Sequence, residues 1–203
     1  MPLTSRELAS GFAAIAARME VSAEELNRLD AEIGDGDLGV TMVRIGRGVG
    51  DVLDDLPDDV GMALTKCVQA ITKVSGSSYA TVVAIALMSA AKACKGRSEV
   101  PWSEMSALLA GACQATMERG KAALGDKTVI DALDACRQAT AGLDEPAAIV
   151  AAMGRAVNEV LERMRPQPCR IGRARIFGDK TVGLDDPGMV AFRCMIEGIA
   201  GGK

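Results

Sequence analysis

Asp30, Asp35 and Asp37 fall within the short segment D-A-E-I-G-D-G-D-L-G (Asp30–Gly39), where two of the three carboxylates alternate with glycines. Hard divalent cations such as Mg²⁺ take oxygen ligands in a near-octahedral arrangement that phosphate oxygens and water usually complete. Glycine lets the backbone fold tightly enough for neighbouring aspartates to converge on one ion. The spacing points to a Mg²⁺–nucleotide site, set against the plainer reading of a solvated turn, since Gly and Asp are common turn formers. A calcium loop of the D-x-[DN]-x-[DN]-G kind fits poorly. Gly39 and Gly46 stand where it needs an acidic or amide residue and a closing glutamate.

Three further loops carry residue types that phosphates need. Ser75-Gly76-Ser77-Ser78 is a hydroxyl-rich entry into a helix, where free N–H groups and the helix dipole favour anions. Gly120–Thr128 is a glycine-bracketed connection. Pro166–Asp186 is the longest irregular stretch and holds Arg170, Arg173, Arg175 and Lys180 among Asp179, Asp185 and Asp186. So long a segment inside a compact domain is usually functional or disordered. The pentapeptide G-D-K-T-V occurs at Gly125–Val129 and again at Gly178–Val182, without marking a repeat architecture. Each loop also reads simply as a helix connection. If every helix traverses a bundle, connections alternate ends, and pattern alone does not place these four together.

The elements that must position them are helices. Thr4 with Glu7, and Ser22 with Glu25, form capping-box patterns. Leu8, Phe12, Ile15 and Met19 follow the first at helical spacing, and the second predicts a separate helix to about Ile33. A third starts after Gly39 and fades near Leu56 and Pro57. Others are predicted over 59–73, 78–95, 103–119, 128–140 and 146–165, and Asp186-Pro187 is an N-cap and first-turn pair opening the last. No convincing strand appears. The expectation is an all-α, multi-helix antiparallel bundle, with residues 1–203 as a single domain. The acidic run around Pro57 reads as a solvated helix end.

Composition agrees. Nearly half the residues are apolar but only Phe12, Tyr79, Trp102, Phe177 and Phe192 are aromatic, so the core must be built from small and aliphatic side chains. A net charge of −4 argues against nucleic acid as the main partner. Six dispersed cysteines without a C-x-x-C pair read as buried hydrophobes in a reducing compartment. Charges interrupt the first apolar stretch, and the longest uncharged run, Val74–Ala91, is short and polar, so neither secretory signal nor membrane span is expected. The chain reads as cytoplasmic. It contains no histidine, which excludes Ser-His-Asp and Cys-His nucleophile pairs, His-ligated zinc and a phosphohistidine carrier.

Three segments in order, Leu29–Gly39, Arg119–Thr128 and Gly172–Gly188, together resemble the nucleotide-binding L subunit of dihydroxyacetone kinases, the DAK2 domain family, and the similarity spans essentially the whole chain. The resemblance implies an eight-helix antiparallel barrel that binds ADP or ATP through Mg²⁺ at one end. It assigns Asp30, Asp35 and Asp37 as metal ligands. Leu38, Gly39, Val40, Thr41, Ser75, Gly76, Gly120, Val129, Arg173, Asp186, Pro187 and Gly188 become its nucleotide contacts. No residue of this chain is assigned as catalytic, because phosphoryl transfer of this kind rests mostly on positioning and charge neutralisation. Gly39 and the Ser75-Gly76 turn are expected to offer N–H groups, and Arg173 a positive fork.

The resemblance also implies a partner. A K-type substrate-binding subunit would hold dihydroxyacetone or a similar small ketose through its own histidine, making this chain a kinase subunit. A phosphotransferase-system phosphocarrier and a second copy of the chain are further partners to test. Leu38 and Thr41 replace the family's usual histidine and asparagine, and Gly76–Thr81 reads G-S-S-Y-A-T in place of G-P-L-[FY]-G-T. These changes favour exchanging ATP over a tightly held ADP recharged by a phosphocarrier. The competing class is an ADP-bound regulatory module contacting a transcription regulator. A fatty-acid-kinase domain shares the G-D-G-D loop, but its longer chain and the D-P-G ending here favour the dihydroxyacetone-kinase type.

Overall fold

The computed structural model describes residues 2–202, which form eight α-helices: α1 (Ser5–Ile33), α2 (Leu38–Gly50), α3 (Val60–Val74), α4 (Ser78–Cys94), α5 (Met105–Gly120), α6 (Val129–Ala139), α7 (Pro146–Met164) and α8 (Pro187–Gly201). Each helix packs on the next, and α8 returns to pack on α1, so the ring closes. The only strand-like pairing among the described residues is a single bridge between Leu3 and Val100.

Helix starts follow local chemistry. The Thr4–Glu7 capping box opens α1, and Asp59, Ser77 and Asp186 each accept an N–H of the first turn they cap. Asp59 thus ends the acidic run with a structural task. Thr128 and Asp131 form a reciprocal cap on α6. One expectation fails: Ser22 and Glu25 do not begin a helix, because α1 runs unbroken for 29 residues. Met19, Ser22, Leu26 and Ile33 are its buried positions and continue one face through the site of the expected break. Burial along that stripe outweighs the local capping option. The predicted third helix also stops early, at Gly50, followed by a short 3-10 turn over Leu53–Asp55.

The core is aliphatic and tightly drawn. Met19, Leu26, Met42, Cys67, Ile71, Cys136, Val157, Val160, Met189 and Cys194 lie in one buried cluster. All six cysteines are free and buried. Burial pushes the Cys67 thiol up to about 11 and Cys136 to about 12, which leaves both inert as nucleophiles. No described helix is long and apolar enough to cross a membrane.

Alternation around the ring gathers the α1–α2, α3–α4, α5–α6 and α7–α8 connections. These are the four loops singled out by their chemistry, and residues from all of them line one cleft.

Candidate functional site

The cleft has a volume of about 280 Å³ and opens at one end of the ring. Asp30 comes from the last turn of α1, and Asp35 and Asp37 from the connection to α2. One oxygen from each lies within 4.8 Å of the others. Oxygens around an octahedral Mg²⁺ stand about 3–4 Å apart, so the trio needs only a small contraction to share an ion. The donor set is all hard carboxylate oxygen and fits Mg²⁺. Close backbone approach makes this possible. A Cβ at Gly34 would stand 2.2 Å from Asp30 Oδ1, and Gly36 adopts φ +76.

Side chains of α1 seat the start of α2. Asp30 Oδ2 accepts the N–H groups of Asp37 at 3.0 Å and Leu38 at 3.3 Å. Asn27 Oδ1 accepts those of Gly39 at 2.8 Å and Val40 at 3.2 Å. The expectation that Gly39 presents a free N–H is therefore corrected, since that donor is already taken. Gly39 instead lets α2 approach α1, because a Cβ there would sit 2.0 Å from the Ala23 carbonyl oxygen.

Among the residues the resemblance assigned to nucleotide, the cleft is lined by Leu38, Thr41, Gly120, Val129, Arg173, Asp186, Pro187 and Gly188. Gly39, Val40, Ser75 and Gly76 do not line it. The Ser75 N–H bonds Ile71 O at 3.1 Å, and Ser75 faces a neighbouring groove instead. The hydroxyl positions at the cleft lie just beyond, at Ser77 and Ser78. The Ser75-Gly76 expectation is corrected by two residues. Leu38 and Thr41 are buried, so each presents a packed wall to the cleft.

Arg173 pairs with the Asp35 carboxylate across the mouth, joining the long loop to the acidic connection. Both groups are about half exposed, a setting in which such a pair is worth about 0–1 kcal/mol. The loop's base is held far more firmly. Lys127 is buried, with φ +60, and its Nζ donates to the carbonyls of Arg165 (3.2 Å), Gln167 (2.8 Å) and Thr181 (2.8 Å). Thr181 Oγ1 accepts the Cys169 N–H at 2.8 Å, and Arg165 forms a two-pronged pair with Asp185. The first G-D-K-T-V copy thereby clamps the second. Burial pulls the Lys127 ammonium below its ordinary range. The segment expected to be irregular contains 3-10 turns over Ala174–Thr181, kinked at Gly178.

The floor is formed by Tyr79 and the start of α8. The Tyr79 hydroxyl donates to Gly188 O at 3.0 Å, and Asp186 Oδ1 accepts the Met189 N–H at 2.8 Å. Burial pushes the Asp186 carboxyl up to about 6, against the pull of the Lys127 ammonium and its backbone donors. Burial, with Asp186 nearby, also raises the Tyr79 hydroxyl. Three residues that sequence reading passed over, Asn27, Tyr79 and Lys127, thus shape the cleft. Lys127 carried a signal in its place inside the repeated pentapeptide and Tyr79 in matching the [FY] of G-P-L-[FY]-G-T; Asn27 carried none.

Residues 32–201 match the DAK2 domain. The chain is 29% identical over 186 residues to the ADP-binding subunit DhaL of the PEP-dependent dihydroxyacetone kinase of Escherichia coli, covering 87% of each. It is 30% identical over 183 residues to L-erythrulose 1-kinase of Mycolicibacterium smegmatis, covering 86% of this chain and 32% of that one. The fold is similar to the crystal structure of the dihydroxyacetone kinase of C. freundii in complex with AMP-PNP and Mg²⁺. That match has a TM-score of 0.75 and 23% identity, and covers 100% of this chain and 35% of the other. The chain therefore spans about a third of these longer relatives and most of the DhaL subunit.

Proposed function

The chain belongs to the DAK2 domain family, and from that premise we propose that it is a kinase subunit that holds Mg²⁺-ADP or Mg²⁺-ATP and passes phosphate to a small ketose on a separate K-type subunit. One observation carries the reading: three carboxylates and four helix connections converge on a single cleft. Bound Mg²⁺ would be held by Asp30, Asp35 and Asp37, and would supply bridging and charge neutralisation of nucleotide phosphates.

The chain's own groups do the rest. Arg173 reaches the mouth and offers a guanidinium fork to phosphate oxygens. Ser77 and Ser78 set hydroxyls at the rim, and Leu38, Val129 and Pro187 form apolar walls suited to excluding water. Asp186 and Gly188, at the start of α8, bound the far side. The chain has no histidine and its cysteines are buried, in keeping with transfer by positioning. The acceptor sugar belongs to the partner, and the kinases named for dihydroxyacetone and L-erythrulose support a triose or tetrulose. A cytoplasmic site of action suits such a subunit.

A second reading concerns the phosphate source. The similarity to the ADP-binding subunit of a PEP-dependent kinase favours tightly held ADP recharged by a phosphocarrier; the replaced contacts at Leu38 and Thr41 favour exchanging ATP. Reconstitution with a K-type subunit across trioses and tetruloses tests the main proposal, with product formation expected from ATP or from a phosphocarrier with ADP. No product from either donor, with a partner shown to bind sugar, would contradict it. ADP that survives dialysis at one per chain selects the recharged mode.

A further inference from the structure

Asp37 is the N-cap residue of α2, where an aspartate ordinarily turns its carboxylate back to accept the N–H of the second or third helical residue. Those residues are Gly39 and Val40. Asp37 makes no such bond. Both donors go instead to Asn27 Oδ1, reaching across from α1 at 2.8 and 3.2 Å. We propose that Asn27 is a positioning residue for the divalent-cation site: it caps α2 in place of Asp37 and so leaves the Asp37 carboxylate available beside Asp30 and Asp35. The inference rests on the reading that these aspartates hold a divalent cation.

The surroundings leave Asn27 alone in this task. Asp30 Oδ2 already accepts the N–H groups of Asp37 and Leu38, so Asp30 has its other oxygen to spare for an ion. Ala23, Asn27 and Asp30 succeed one another at four- and three-residue spacing and share one face of α1. That stripe supplies the close seat for Gly39, the cap and one ligand. The register is fixed, since a Cβ at Gly39 would stand 2.8 Å from Asn27 Oδ1 as well as 2.0 Å from Ala23 O. An amide oxygen accepts both donors without adding a fourth negative charge to the trio. Without it, Gly39 and Val40 would turn to the nearest alternative acceptor, the carboxylate of their own N-cap.

The test uses Mn²⁺ as the probe, followed by electron paramagnetic resonance, with the full chain and its Asn27→Ala and Asn27→Asp variants. Asn27→Ala is expected to weaken Mn²⁺ binding by about tenfold or more, the usual scale for an outer-shell partner of a metal site. Its melting temperature should hardly move, because Asp37 takes over the cap; a purely structural role would lower melting and spare the metal. Asn27→Asp keeps an acceptor for both N–H groups and should fold and bind Mn²⁺ at least as well as the parent. Mn²⁺ affinity in Asn27→Ala within about twofold of the parent would overturn the assignment. Should Asn27→Ala fail to fold, the aspartate variant decides, and a loss of about tenfold there would overturn it as well. A parent chain that binds no Mn²⁺ would bring down the cation reading itself, and this inference with it.

Discussion

The two loops that meet at the mouth of the cleft are held in opposite ways. The α1–α2 connection is short, and its shape follows from Gly34, Gly36 and the side chains of the helix just before it. The Pro166–Asp186 loop has its own 3-10 turns over Ala174–Thr181, but what fixes it comes from outside. It is anchored by Lys127, which lies far earlier in the chain, and its tip reaches the acidic connection through the exposed Arg173–Asp35 pair. The carboxylates proposed as cation ligands sit on the first kind of support. Arg173, the group proposed to reach a phosphate, sits on the second.

The largest effect should come from the acidic side. Replacing both Asp35 and Asp37 by Ala should lower Mg²⁺-dependent nucleotide affinity by about 100-fold or more, since two of three hard ligands are lost, while helicity and melting stay near the parent's. Calorimetric titration with ADP and circular dichroism check the two halves of that expectation. Undiminished affinity would remove the site from this loop.

On the other side, Lys127→Met should cost about 1–3 kcal/mol of stability, because it leaves the Gln167 and buried Thr181 carbonyls without their shared ammonium, while Arg165 O keeps the Gly183 N–H. Urea denaturation measures it. A loss under about 0.5 kcal/mol would mean that the long loop has another anchor. Arg173→Ala should weaken nucleotide binding by about 1–3 kcal/mol with no change in melting, as a charged hydrogen bond from an exposed residue would. If melting fell and binding held, the comparison between the two loops would be reversed.

A further effect is one of pH. Burial raises the folded Asp186 carboxyl to about 6 from an ordinary value of 3.8. The folded state therefore holds more protons than the unfolded chain between about pH 4 and 6, and this group's contribution falls as pH rises through that window. Asp186→Asn keeps an N-cap and removes the titration. Its stability relative to the parent should rise from pH 4 to pH 6 and then level off. A difference that is flat across that range would mean that Asp186 ionises normally.

Most of the architecture could be read from sequence because it is local. Caps at Thr4, Asp59, Ser77, Thr128 and Asp186 and aliphatic periodicity mark helix starts without tertiary information. The carboxylate trio was legible for the same reason. Ser22 misled because its capping pattern competes with burial against the rest of the ring, and burial prevailed. Asn27 looked like any polar residue on a helix, since its partners lie across a turn. Lys127 stood out only through the repeated pentapeptide, because nothing local reveals that three distant carbonyls converge on it. The gathering of four loops at one end followed only once each helix was known to traverse the ring.

The central claim is that the Asp30–Asp35–Asp37 cluster holds nucleotide phosphates through a divalent cation. Titrating the unaltered chain with ADP, once with Mg²⁺ and once with chelator, tests it most directly. Saturable binding with one ADP per chain that disappears on chelation is the predicted result; equal ADP affinity in both solutions would contradict the account.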